Sequence, residues 1–184
     1  MSAPSTPAGD PGTSTAPPEN VVSPTGAVGT PTPTVAAGPL GQDEIDALQA
    51  ALGAEQAAVY SYGLVAAHPQ DQNELTTTLQ ILQGHRTRRD LTEERLTQGG
   101  ATPVGNAAAY QPPAPVTDVN SARVLAQAIE FDCAAAWRVV IGSTDQAELR
   151  GFALAGLSDA AVRLAQWKVL AGTLPSTLPF PGQG

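Results

Sequence analysis

Two acidic residues in this chain each stand seven positions before an aromatic: Glu55 before Tyr62, and Glu130 before Trp137. Seven residues are close to two helical turns, so each carboxylate shares a helix face with its aromatic. Two such helices can aim both carboxylates at one point inside a bundle. Carboxylates converging there with an imidazole are metal-ligand chemistry, because carboxylate oxygens can bridge ions and a histidine can complete each shell. His85 and Asp159 are the further candidates.

A dinuclear bundle site takes a lone Glu from each of two helices and a Glu-x-x-His pair from each of the other two. Glu55 and Glu130 suit the lone positions. Leu82-x-x-His85 has the histidine without its Glu, and Asp159-x-x-Val162 has an acid without its His. Three carboxylates and one imidazole therefore stand where six ligands are wanted.

Two readings follow. In the first, Glu55, His85, Glu130 and Asp159 hold one Fe, Mn or Zn ion. In the second, the group is a polar core in which His85, with Arg86 or Arg89, neutralises Glu55 and Glu130, since buried charges must be paired or shift their pKa. If the Glu55 charge is merely tolerated, Glu55→Leu is neutral or stabilising. The run His85-Arg86-Thr87-Arg88-Arg89-Asp90 admits a contact from Arg86 or Arg89 to an anionic ligand or a partner's carboxylate. It equally admits pairing of Arg86 and Arg89 with nearby acids, with Arg88 facing water. Tyr60, Tyr62 and Trp137 read as core aromatics, and Cys133 as a buried structural thiol. No Ser/His/Asp or Cys/His spacing supports nucleophilic catalysis, and no glycine loop would cradle phosphate.

The elements that must carry these residues are helical. Residues 1–41 are rich in Pro, Thr, Ser, Ala and Gly, hold no Lys or Arg, and read as a disordered tail. From Gln42 to His68, Ile45, Leu48, Leu52, Val59, Tyr62 and Ala66 recur at helical spacing, with Glu55 inside the stripe. The second helix spans Asp71 to Gln98, with Asp71 as N-cap, Glu74 completing a capping box, and Leu75, Leu79, Leu82, His85 and Leu96 on its buried face. The third spans Asn120 to Ile141. The fourth spans Asp145 to Ala171, with Leu149, Phe152, Leu157, Leu164 and Trp167 inward. A Pro-rich end, residues 173–184, lies on the bundle through Leu174, Leu178 and Phe180.

The connection from Gly99 to Asp118 is long, Pro-rich and without periodicity. A helix of about 27 residues is about 40 Å long, and about 20 extended residues cover that distance. The other two connections are short and make antiparallel hairpins. Two hairpins joined by one long crossover form an all-α, ferritin-like four-helix bundle over residues 42–172.

Composition excludes several classes. Formal net charge is −8, against a nucleic-acid partner, which needs a basic face. A lone cysteine, Cys133, forbids an internal disulfide. No stretch is long and apolar enough to span a bilayer, and the N-terminus lacks a signal-peptide pattern, so the expected location is the cytoplasm.

Several stretches resemble an actinobacterial ferritin-like family of unknown function. They are LQAALGAEQAAVYSYG (48–63), GHRTRRDLTEERLTQGGATP (84–103), AYQPPAPVTDVNSA (109–122), IEFDCAAAWR (129–138) and LSDAAVRLAQWK (157–168). The resemblance covers residues 42–182. It implies a ferritin-like bundle, allows pairing of bundles into homodimers, and implies no set activity. The leading expectation is a non-enzymatic binding or structural module with a degenerate metal centre. The runner-up is a mononuclear metal-dependent oxidoreductase using Glu55, His85, Glu130 and Asp159. A third class is a small-ligand carrier that holds an anionic group on Arg86 or Arg89.

Overall fold

A computed structural model describes residues 39–183. The tail expected at the N-terminus lies outside these residues except for its last three. Four helices follow in order: α1 (Gln42–Val65), α2 (Gln72–Gln98), α3 (Val119–Ser143) and α4 (Ala147–Leu170). Among the described residues there is no strand and no helix long and apolar enough to cross a membrane.

Local chemistry sets the helix ends. The Asp71 side chain accepts from the Glu74 amide at 2.9 Å and caps α2. The Glu74 carboxylate does not close a capping box; it takes Arg123 of α3, Nη2 to Oε2 at 2.5 Å and Nε to Oε1 at 3.1 Å. A two-pronged guanidinium bond is stronger than a reciprocal cap, and here it ties two helices together. Asp118 and Ser121 form the capping box at the start of α3.

Cross-helix contacts give the helix directions. Glu55 meets Trp137 and Tyr62 meets Glu130, so α1 and α3 run antiparallel. Glu55 with His85 and Leu40 against Gly99 make α1 and α2 antiparallel. Arg123 reaching Leu170 O and Gly156 against Trp137 do the same for α3 and α4. The crossover from Gly99 to Asp118 returns along α1, held by two glutamines seven residues apart. The Gln49 side chain donates to Thr102 O at 2.7 Å and accepts from Val104 N at 2.8 Å. The Gln56 amide donates to Val104 O at 2.9 Å. This is the four-helix, ferritin-like bundle that the helix lengths and connections predicted.

The core follows the helical stripes, with differences. Leu48, Leu52, Tyr62, Leu82, Leu96, Leu149, Phe152, Leu164 and Trp167 are buried. Leu79 and Tyr60 are exposed; Tyr60 packs on Tyr110 of the crossover with ring centroids 5.6 Å apart. The C-terminal segment returns to α3 through Gly182, whose carbonyl accepts from Arg138 Nε at 3.2 Å. Leu174 and Phe180, expected as its anchors, are exposed, and Leu178 is half-buried.

The close approach of α3 and α4 depends on Gly156. A Cβ at Gly156 would lie 2.7–2.8 Å from the Trp137 ring, which is fully buried and cannot yield freely. Gly156→Ala is therefore expected to cost about 1–3 kcal/mol by overpacking, read from the urea unfolding midpoint. An unchanged midpoint would show that Trp137 has room to shift.

Candidate functional site

Helical spacing on α1 and α3 brings Glu55 and Glu130 inward at adjacent levels, and α2 places His85 between them. Nδ1 of His85 lies 2.7 Å from Glu55 Oε2, and Nε2 lies 3.1 Å from Glu130 Oε1. Ionised carboxylates only accept, so a ring bonded to one from each nitrogen donates from both and is an imidazolium. Burial works against that charge, but the hydrogen bonds and charges of Glu130 and Glu55 outweigh it and raise the pKa to about 9. All three residues are buried, with His85 at 1%, Glu55 at 3% and Glu130 at 0% exposure.

The two aromatics close the group crosswise. Trp137 Nε1 of α3 donates to Glu55 Oε1 of α1 at 2.7 Å, and the Tyr62 hydroxyl of α1 donates to Glu130 Oε1 of α3 at 2.5 Å. Equal seven-residue spacings on antiparallel helices require this exchange: each aromatic lies level with the other helix's acid. Trp167 Nε1 of α4 donates to the Tyr62 oxygen at 2.8 Å. Burial first, and then the neighbouring Glu130 charge, push the Tyr62 phenol well above its ordinary pKa. Cys133, one turn from Glu130, is fully buried, and burial followed by the two carboxylates likewise raises its thiol.

Asp159 does not join this group. Its carboxylate is half exposed and bonds Arg88 Nη2 at 2.8 Å. Arg88 is the reason: it is largely buried, its guanidinium 5.2 Å from the Phe152 ring centroid and 5.8 Å from that of Trp137. The expectation that Arg88 faces water is thus corrected. Arg86 is exposed, and Arg89 binds its neighbour Asp90, Nη2 to Oδ1 at 2.7 Å, so neither approaches the buried carboxylates. The arginine beside the core is Arg163, which crosses the α2 backbone where Gly84 leaves space. The glycine directly before His85 was its only signal in the chain.

The donor set does not fit a dinuclear centre. Leu82 and Val162 stand at the missing ligand positions, Leu82 buried and Val162 58% exposed. Both Glu55 oxygens and Glu130 Oε1 already accept hydrogen bonds. Glu130 Oε2 is the one carboxylate oxygen of the group that is buried without a hydrogen-bond partner. One atom each from Glu55, His85 and Cys133 lie within 4.8 Å of one another, a set sized for a single ion. Cys133 was legible in the chain as Glu130-x-x-Cys133, one face of one helix.

A family model described as "Domain of unknown function (DUF4439)" matches residues 47–184. A crystal structure of a conserved hypothetical protein from Mycobacterium tuberculosis is 34% identical, with a TM-score of 0.68, over 71% of this chain and 98% of that one. A dodecameric thioferritin, the bacterioferritin-related protein from Bacteroides fragilis, shares the fold at 18% identity and a TM-score of 0.59, over 68% of this chain and 82% of that one. No curated protein matches.

Proposed function

This chain belongs to the DUF4439 family, a ferritin-like domain of unknown function, and we propose that it acts as a binding or structural module built around a closed polar core. The observation that supports this most is the bonding of both His85 nitrogens to the two buried carboxylates. Trp137 and Tyr62 take further carboxylate oxygens. In this reading a proton on His85 does the neutralising that metal ions do in a dinuclear bundle. The exposed residues Val162, Val169 and Leu170 of α4 and the dodecameric assembly of the thioferritin support self-association as part of the same reading.

A second reading is the mononuclear metal-dependent oxidoreductase. The proximity of Glu55, His85 and Cys133 favours it, with Glu130 as a fourth ligand and the thiol taking the place expected for Asp159. A borderline ion such as Zn accepts that mixture of donors. Plasma mass spectrometry of the purified protein, before and after exposure to Fe, Mn and Zn, separates the two. The closed core predicts substoichiometric metal in every sample. About one ion per chain, lost in both Glu55→Ala and Cys133→Ser, would overturn it in favour of a metal site. Cys133→Ser guards against misfolding, since serine keeps the size of the buried side chain and, among the described residues, the thiol's hydrogen bond is a long one to Ala54 O at 3.8 Å.

A further inference from the structure

A cavity of about 390 Å³ opens between α1, α3 and the returning crossover. No side chain of the Glu55–His85–Glu130 group lines it. Its space comes from small residues: Ala54, Ala57 and Ala58 on α1 and Ala128 on α3 leave a trough that Pro112 and Pro113 roof. The volume falls within the range of small-molecule sites, roughly 300–1,000 Å³.

Three of the four polar residues lining this apolar trough share one character; the fourth, Gln111, can donate or accept. Asp132 is the only charged residue among those lining it. Asp132 is exposed at the rim of the trough, and among the described residues its carboxylate has no ion pair or hydrogen bond, so it is open to a ligand. Ser61, buried at the same wall, makes no hydrogen bond among the described residues, and its hydroxyl can accept one. Tyr110 adds an aromatic ring, fixed through its hydroxyl to Gln56 Oε1 at 3.4 Å and packed on Tyr60. A carboxylate, a hydroxyl and an aromatic ring all favour a cation. An anion would meet the Asp132 charge directly, inside a chain of net charge −8.

We propose that this trough binds a small organic cation, its ammonium group on Asp132 and Ser61 and its compact apolar body over Ala57, Ala128 and Pro112. The ligand has the opposite sign to the one a carrier using Arg86 or Arg89 would hold. The site is independent of the state of the buried core, so failure of the closed-core reading leaves it standing.

The test is an NMR titration of the full chain with three probes of one shape: 2-phenylethylammonium, 2-phenylethanol and 3-phenylpropionate. The ammonium is expected to give saturable shifts at millimolar concentration in the amides of 54–61 and 128–132. The alcohol should bind roughly tenfold more weakly, the worth of one charge-assisted hydrogen bond, and the carboxylate not at all. Asp132→Asn should lower ammonium affinity by a similar roughly tenfold factor with the melting temperature unchanged, because among the described residues the exposed Asp132 carboxylate has no bond to lose. Ala57→Leu, which fills the trough, should abolish binding. Equal binding of all three probes, unaltered affinity in Asp132→Asn, or no saturable shift with the ammonium would each overturn the proposal.

Discussion

His85→Leu is expected to lose about 3–5 kcal/mol of folding stability at pH 7, the cost of removing one partner from a buried ion group. The substitution takes away the only positive charge that, among the described residues, bonds Glu55 and Glu130, and leaves two buried carboxylates without it. Desolvation and like-charge repulsion then act together, and one carboxyl must take up a proton. The loss should shrink as the pH is lowered toward the carboxylate range, because protonation relieves the repulsion. Urea unfolding at pH 7 and pH 5 reads both effects. A loss below about 1 kcal/mol, the size of an ordinary exposed ion pair, would mean that the group contributes little and that water reaches it. The structure also revises the expectation for Glu55→Leu. Glu55 accepts from both Trp137 and His85, so leucine there strands two buried donors, and the change is destabilising rather than neutral.

The second large effect is a fall in stability on the alkaline side. The folded pKa of His85 is about 9, above its unfolded value of 6.5. A group whose pKa is raised by folding stabilises the fold fully below its unfolded pKa, and that contribution disappears as the pH rises through the folded value. The contribution is thus complete below pH 6.5 and is lost between 6.5 and about 9. Its size is about 3 kcal/mol, since each tenfold gain in proton affinity on folding is worth about 1.4 kcal/mol. Cys133 and Tyr62 continue the trend at higher pH, since burial keeps their protons on in the fold while the unfolded chain releases them. Stability curves from pH 6 to 9.5 test the slope, and a carbon-13 titration of the imidazole in His68→Gln protein tests its origin. A His85 midpoint at or below 6.5 would refute the imidazolium.

Glu55, His85 and Glu130 were legible in the chain because each breaks an apolar helical stripe with an ionisable group, and only burial explains that position. Asp159 was misplaced for a reason local to α4: its spacing allows either the core or the outer face. Arg88, arriving from α2 over Trp137 and Phe152, holds it on the outer face. Arg163 carried no signal of its own, since only the glycine opposite it gives it room. The crossover was readable by length, but its attachment to Gln49 and Gln56 was not, because both are ordinary surface residues until a second segment covers them.

Helices, caps, hairpins and the returning crossover are properties of short windows of chain: apolar period, capping residues, proline placement and length. Those were enough for the ferritin-like topology and for the level at which two acids and a histidine meet. Partnership is different in kind. Which aromatic serves which carboxylate, whether the histidine is charged, and where a carboxylate remains without a cation all depend on the antiparallel crossing of distant helices. A hydrogen bond is decided within a few tenths of an ångström, and burial sets its worth. Neither quantity exists until all four helices are in place.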